Sequence, residues 1–129
     1  MIPPPPVDVV VACSDTDARH IIATMLRHDG WCVLEVDAPA DVMHTVLSRS
    51  PRLVVTSYPA EVEGGQTVTA LLRADERTAG LPILSVTSRA FPGDIARAAA
   101  AGVSASLVMP VAPTRVVEEV RRLLGTTPA

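Results

Sequence analysis

The side chains best placed to do chemistry in this chain fall into four short groups: Cys13-Ser14-Asp15, Ser57, Thr87-Ser88-Arg89 and Met109-Pro110. A thiol just ahead of a helix start, as at Cys13, can have its pKa lowered and serve redox or metal chemistry; the plainer reading is a small buried residue. A hydroxyl such as Ser57 can accept a phosphoryl group as an ester, but it needs a base beside it. Only Asp15, Glu61 and Glu63 are candidates, and the plainer reading is a small polar strand end. Asp15 and Asp17 have the chemistry of metal ligands and equally that of a helix cap and first turn. Thr87-Ser88-Arg89 could hold an anion, with the Arg89 guanidinium forking onto it, unless Arg89 pairs with Glu61 or Glu63. His20, His28 and His44 lack the Cys or carboxylate spacing of a zinc site and read as surface residues. All 11 basic residues are arginine, so lysine Schiff bases and phosphate-loop lysines are excluded.

Those groups must be positioned by a core with very few aromatic rings. The chain has 129 residues, 48% hydrophobic but only 2% aromatic, enough for one domain that buries about two-thirds of its unfolded surface. Val7–Ala12 is a near-continuous apolar run too short for a helix, as expected of a strand covered on both faces. From a cap at Asp15, Ile21, Ile22, Met25 and Leu26 recur at helical spacing until Gly30. The pattern then repeats. Trp31–Val36 reads as a strand, and a helix carrying Val42, Met43, Val46 and Leu47 opens at Pro39 and closes at Pro51. Leu53–Thr56 is a third strand, followed by a loop with Pro59 and Gly64-Gly65 and a helix marked by Val68, Leu71 and Leu72. Leu81–Thr87, an Ala-rich helix over Pro92–Ala101 ended by Gly102, Ala105–Met109, and a helix lined by Val116, Val117, Val120, Leu123 and Leu124 complete the series. Five short strand-then-helix units imply an α/β fold with a parallel sheet, whose sites lie at the carboxyl ends of the strands.

Residues 1–6 read as a stiff proline-rich arm, 7–124 as the domain, and 125–129 as a tail or the start of a linker. The arm lacks the regions of a signal peptide, and no apolar run approaches the ~20 residues of a membrane span. A cytoplasmic protein is expected, with no membrane partner. A net charge of −3 and scattered arginines give no basic stripe, so this domain alone is not expected to bind nucleic acid. Cys13 and Cys32 fall at opposite ends of neighbouring strands, roughly 15–20 Å apart at ~3.3 Å per residue, beyond disulfide reach. Two free thiols suit a reducing compartment.

Over residues 7–124 the strand ends resemble the receiver domain of two-component response regulators. Pro51-Arg52-Leu53-Val54-Val55-Thr56-Ser57 is similar to the segment that ends in the phospho-accepting Asp, with Gly65 at the place of the family's glycine. Pro82-Ile83-Leu84-Ser85-Val86-Thr87-Ser88 is similar to the strand carrying the switch Thr, and Asp94-Ile95 through Ala101-Gly102 to the fourth helix. Met109-Pro110 matches the Lys-Pro pair. The resemblance implies a flavodoxin-like (βα)5 sandwich with strand order 2-1-3-4-5 and a cis peptide before Pro110. It also implies which parts are changed. Ser57 stands at the acceptor position, Met109 replaces the phosphate-contacting lysine, and Ser106 stands at the aromatic switch position. The metal-holding acidic pair falls on Cys13 and Ser14, with Asp15 one place further on. Thr87 alone is kept.

Receiver phosphorylation needs a carboxylate nucleophile, Mg²⁺ on acidic ligands and a cation opposite. Mg²⁺ wants oxygen ligands including one or two carboxylates, so its binding here is expected to be weak or absent. Met109 gives no charge to a developing phosphoryl group. The expectation is therefore a pseudo-receiver without a cofactor and without enzymatic activity, acting by docking within a two-component or phosphorelay pathway. The partner would be a histidine kinase, an output domain, another signalling protein or a second copy. The resemblance places docking on helix four, strand five and helix five, where Arg97, Arg115, Glu119 and Arg122 are taken as exposed. The alternative is a small-ligand or anion sensor using the emptied pocket around Ser14, Ser57, Thr87, Ser88 and Arg89. Glu118 with Arg121 or Arg122 reads as ordinary helix pairing.

Overall fold

The computed structural model describes residues 6–13, 15–57, 67–87 and 92–125. Strands β1 (Val9–Ala12), β2 (Val33–Glu35), β3 (Leu53–Ser57), β4 (Ile83–Thr87) and β5 (Ala105–Val108) alternate with helices α1 (Thr16–His28), α2 (Val42–Arg49), α3 (Val68–Ala74), α4 (Pro92–Ala101) and α5 (Pro113–Leu124). All pairings are parallel and the sheet order is β2-β1-β3-β4-β5. This is the doubly wound, flavodoxin-like arrangement expected from the sequence.

The valine runs form strands because both faces of the sheet are covered, leaving no place for a polar side chain to reach water. One face packs Val9, Val11, Leu84, Val86 and Leu107 against Ile22 and Leu26 of α1 and Val116 and Val120 of α5. The opposite face packs Val10, Val54 and Ile83 against Val42 and Val46 of α2, Leu72 of α3 and Ala98 of α4. Each fully buried Leu or Ile contributes about 1.5–3 kcal/mol relative to exposure.

Turn chemistry fixes where elements begin and end. The Asp15 carboxylate accepts from the Ala18 N–H at 2.9 Å, and the Thr67 hydroxyl from the Ala70 N–H at 3.0 Å, satisfying donors at the starts of α1 and α3. The C-cap of α5 is Gly125 at φ +67°, a left-handed conformation that glycine adopts without steric cost. Pro39 opens a 3₁₀ turn, Pro39–Asp41, before α2 rather than α2 itself.

The strands are shorter than the apolar runs. Val7 is buried, but its N–H donates to the Arg49 carbonyl at 3.2 Å instead of joining the ladder. The Trp31 N–H is likewise taken by the Leu26 carbonyl at 3.0 Å. Ile21 is 50% exposed although its spacing suggested a core position. Ile21 and Ile22 are about 100° apart on a helix, so the face that buries Ile22 turns Ile21 outward. Among the described residues no helix is long and apolar enough to cross a membrane. Residues 1–5 of the proposed arm, Ser14, the loop 58–66 with Glu61 and Glu63, Ser88, Arg89 and the tail from Thr126 lie outside the described residues.

Candidate functional site at the carboxyl ends of the strands

Strand register sets the site. Ala12 lies beside Thr56, Ser57 beside Val86, and Thr87 beside Val108. The chain therefore delivers Cys13, Ser57, Thr87 and Met109 to one end of the sheet, as the sequence suggested. Ser106 is different: it sits within β5 opposite Ser85, not at the strand end.

Cys13 is buried and free. Burial pushes its thiol pKa up, only partly offset by a hydrogen bond with the Ser57 side chain and by the Arg19 charge, while Asp15 raises it further. The helix start nearby does not make Cys13 a ready nucleophile, because desolvating a thiolate costs more than these partners return. Ser57 is half-buried, and its side chain meets this thiol. Thr87 is buried at the end of β4, and its carbonyl accepts from the Met109 N–H at 2.6 Å. The Met109-Pro110 peptide is cis. The Met109 side chain is half-buried and packs against the core on the α1–α5 side.

Among the described residues, a cation that local spacing did not single out lies at this end. Arg19 donates to the Cys13 carbonyl at 2.9 Å, and its Nε lies 3.6 Å from Glu35. Glu35 also faces Arg27 at 3.1 Å and His20 at 3.6 Å. The signal was present as Arg19 in the second turn of α1, one turn beyond the Asp15 cap. What made it invisible is that Glu35 belongs to another strand.

Divalent metal does not suit the described donors. Cys13 and Ser57 are neutral, Asp15 is exposed and occupied as a helix cap, and no group of three or more His, Cys, Asp or Glu comes together among the described residues. Mg²⁺ asks for hard anionic oxygen, and the described ends of β1 and β3 present sulfur and hydroxyl instead.

On the helical side, Arg97, Arg115 and Arg122 are exposed as expected. Glu119 is not. It is only 4% exposed, with Arg115 at 2.9 Å and the Arg122 Nε at 2.7 Å on its carboxylate. The two arginines hold its pKa below the usual carboxylate range despite burial. Arg121 pairs with Asp29, its Nε donating at 2.9 Å, so the expected pairing through Glu118 is replaced by one between helix α5 and the end of α1. Arg97 pairs with Asp94 within α4. His20, His28 and His44 are exposed, as anticipated.

No family model matches the chain, and no curated protein matches it in sequence. Solved structures do match. A response regulator from Desulfuromonas acetoxidans superposes with TM-score 0.86 at 17% identity, covering 92% of this chain and 97% of that one. The chemotaxis protein CheY4 of Vibrio cholerae gives 0.80 at 17% identity, covering 91% and 98%. The receiver domain of a sensor histidine kinase from Pseudomonas aeruginosa, solved with magnesium in its active-site cleft, gives 0.81 at 21% identity, covering 94% and 99%. Across almost its whole length, this chain has the fold of a response-regulator receiver domain.

Proposed function

We propose that this chain is a receiver-like signalling module that does not cycle through aspartyl phosphorylation, has no catalytic activity of its own, and works by docking to a protein partner. The observation that carries this reading is that the register sets neutral Ser57 beside buried Cys13 at the acceptor position, with Met109 packed on the core where a cation would face the phosphoryl group. A phosphoryl acceptor there would need a base and positive charge in a preorganised site. Arg19 supplies positive charge, but it is held by the Cys13 carbonyl and Glu35.

The receiver fold suggests a histidine kinase, an output domain or another signalling protein as the partner, or a second copy of this chain. The surface formed by α4, β5 and α5 is the proposed contact, with exposed Arg97, Arg115 and Arg122 on it. A two-component or phosphorelay pathway in the cytoplasm is the setting this implies.

The test is direct. Amide resonances near Ser57 are expected to stay unchanged when acetyl phosphate, or beryllofluoride with millimolar Mg²⁺, is added; shifts centred on Ser57 would overturn the reading. Ser57→Asp alone is expected not to restore phosphorylation, since Met109 and the β1 end remain unchanged. Partner or self-association should weaken in Arg97→Glu, Arg115→Glu and Arg122→Glu, measured at two ionic strengths because exposed charges act mainly on association rate. The same binding should be unaffected in Ser57→Ala.

One observation favours a second reading. The Arg19 guanidinium on the Cys13 carbonyl brings positive charge to the strand ends, which suits an anion or small-ligand sensor built around Ser57 and Thr87, with Ser14, Ser88 and Arg89 as further candidates. A thermal-shift screen with inorganic phosphate and small carboxylates separates the two, because a ligand at 100 times its Kd adds about 2.7 kcal/mol.

A further inference from the structure

The interior of the sheet holds a polar feature that the strand-end site does not use. Thr56, Ser85 and Ser106 are register neighbours on β3, β4 and β5. Their chain neighbours Val55, Leu84, Val86, Ala105 and Leu107 all belong to the α1–α5 face, so the three hydroxyls lie together on the face covered by α2, α3 and α4. Ser85 is completely buried, and its Oγ has no hydrogen-bond partner among the described residues. Thr56 Oγ1 donates to the Ala12 carbonyl at 3.1 Å, so its hydroxyl is turned toward β1 and away from Ser85. Ser106 is half-buried.

Leaving a buried hydroxyl unpaired costs about 1–3 kcal/mol, so the Ser85 group calls for a partner. Adjacent strands are about 4.8 Å apart. That is too far for serines in register to bond without leaning together, and it matches a single water bridging two hydroxyls with bonds of about 2.7–2.8 Å. Of the described side chains of α4, the buried one is Ala98, which brings only a methyl group to this part of the sheet.

We propose that Ser85 and Ser106 bind one internal water between β4 and β5. Ser85 Oγ–H donates to the water, and the water donates to Ser106 Oγ. Two polar contacts are the fewest that a buried water requires. The floor beneath α4 is then wet, whereas the floor beneath α1 and α5 is apolar. This inference is independent of the docking role proposed above.

A high-resolution crystal structure of the full chain tests it. Density for a water about 2.7–3.0 Å from both Ser85 Oγ and Ser106 Oγ is expected. A dry site, or a direct Ser85–Ser106 hydrogen bond, overturns it. The stability of alanine variants provides a second reading. If a water is shared, Ser85→Ala lowers Tm, and Ser85→Ala with Ser106→Ala lowers it by less than the sum of the singles, because either change alone breaks the same bridge. If the Ser85 hydroxyl is simply unpaired, Ser85→Ala raises Tm. That result, or strict additivity, removes the water.

Discussion

The two ends of the sheet are built from opposite materials. At the amino ends of the strands, polar and charged side chains close the turns between helix and strand. The Asp8 carboxylate accepts the Cys32 N–H at 2.9 Å, and Arg52 lies 5.5 Å from the Trp31 ring centre. Trp31 Nε1 donates to Asp29 at 3.0 Å, and Asp29 is also bound by Arg121. Arg73 donates to the carbonyls of Gly102 at 2.9 Å, Ala79 at 2.9 Å and Leu81 at 2.6 Å, joining the end of α4 to the approach to β4. At the carboxyl ends, where parallel α/β sheets hold their chemistry, the described strand ends carry Cys13, Ser57, Thr87 and Met109. Beside them the charge that is described, Arg19 with Glu35, lies on α1 and at the end of β2. The contrast teaches that charge can be spent on closing one end of a sheet while the described strand ends at the other carry mainly thiol, hydroxyl and thioether groups.

The sharpest way to break this comparison is at the amino end, where changes should be costly. Trp31→Ala removes a buried ring, the hydrogen bond to Asp29 and the surface beneath Arg52. A loss of about 3–5 kcal/mol in urea unfolding is expected. Arg52→Ala should cost at most about 1 kcal/mol, since an exposed cation over a ring contributes little more. Equal losses in the two variants would mean that the cation, not the buried ring, organises this corner.

Arg73 should come next. Its guanidinium serves several carbonyls at once, which a single lysine ammonium cannot reproduce. Arg73→Ala is expected to cost about 3 kcal/mol, from lost charge-assisted bonds and carbonyls left unpaired, and Arg73→Lys should recover only part of it. Gly102 supplies a coupled test. It sits at φ +111°, and a Cβ there would meet Arg73 Cγ at 2.7 Å. Gly102→Ala should therefore cost about 1–3 kcal/mol from strain, and less in the Arg73→Ala background, where the clash is gone.

Acid should loosen the same supports. Hydrogen bonding by Arg121 holds the Asp29 pKa below its ordinary value, and Arg77 takes that of Asp75 down to about 2. Arg122 and Arg115 lower that of Glu119. Each depressed carboxylate stabilises the fold above its unfolded pKa, about 3.9 for Asp and 4.3 for Glu, and that stability is lost as pH falls through the folded value. The urea midpoint should be flat from neutral pH to about 5 and fall steadily below about 4. Asp29→Asn should lower the plateau and flatten the acid slope. A slope unchanged by this substitution would assign acid sensitivity to other carboxylates.

How far the sequence revealed this molecule follows the same division. The alternation of valine runs and helical spacing was enough for the order of elements, and the strand ends were legible because register follows from that order. Asp15 as a cap was legible too, since the relation is local. Glu119 was not. On α5 it lies beside the apolar stripe of Val116 and Val120, and its burial comes with Arg115 one turn before and Arg122 one turn after. Arg19 at the Cys13 carbonyl and Arg121 on Asp29 are cross-element contacts, the latter 92 positions apart, and no local pattern encodes them. The Ser85 hydroxyl stayed hidden because a serine in a β-rich run looks the same whether or not it has a partner.

The smallest effect should come from the carboxyl end, and its smallness is the point. Ser57→Ala removes a half-buried hydroxyl that meets the Cys13 thiol. Only one weak hydrogen bond is lost and no buried charge is orphaned, so the change in unfolding free energy should stay within about 0.5 kcal/mol. The chemical readout is more telling. The Ser57 bond favours the thiolate, so its removal raises the Cys13 pKa further above the ordinary thiol value. In a Cys32→Ser background, which removes the exposed thiol, Cys13 should react slowly with a small alkylating reagent at mildly alkaline pH, and more slowly still in Ser57→Ala. Exposure and pKa push in opposite directions, because the substitution opens space beside the sulfur while lowering its thiolate fraction. Measuring the rate against pH separates them: a pKa effect moves the midpoint of the profile upward, whereas improved access raises the plateau. A plateau rise without a midpoint shift would mean that Ser57 shields Cys13 sterically, and the hydrogen bond between β1 and β3 would lose its place in the description of this site.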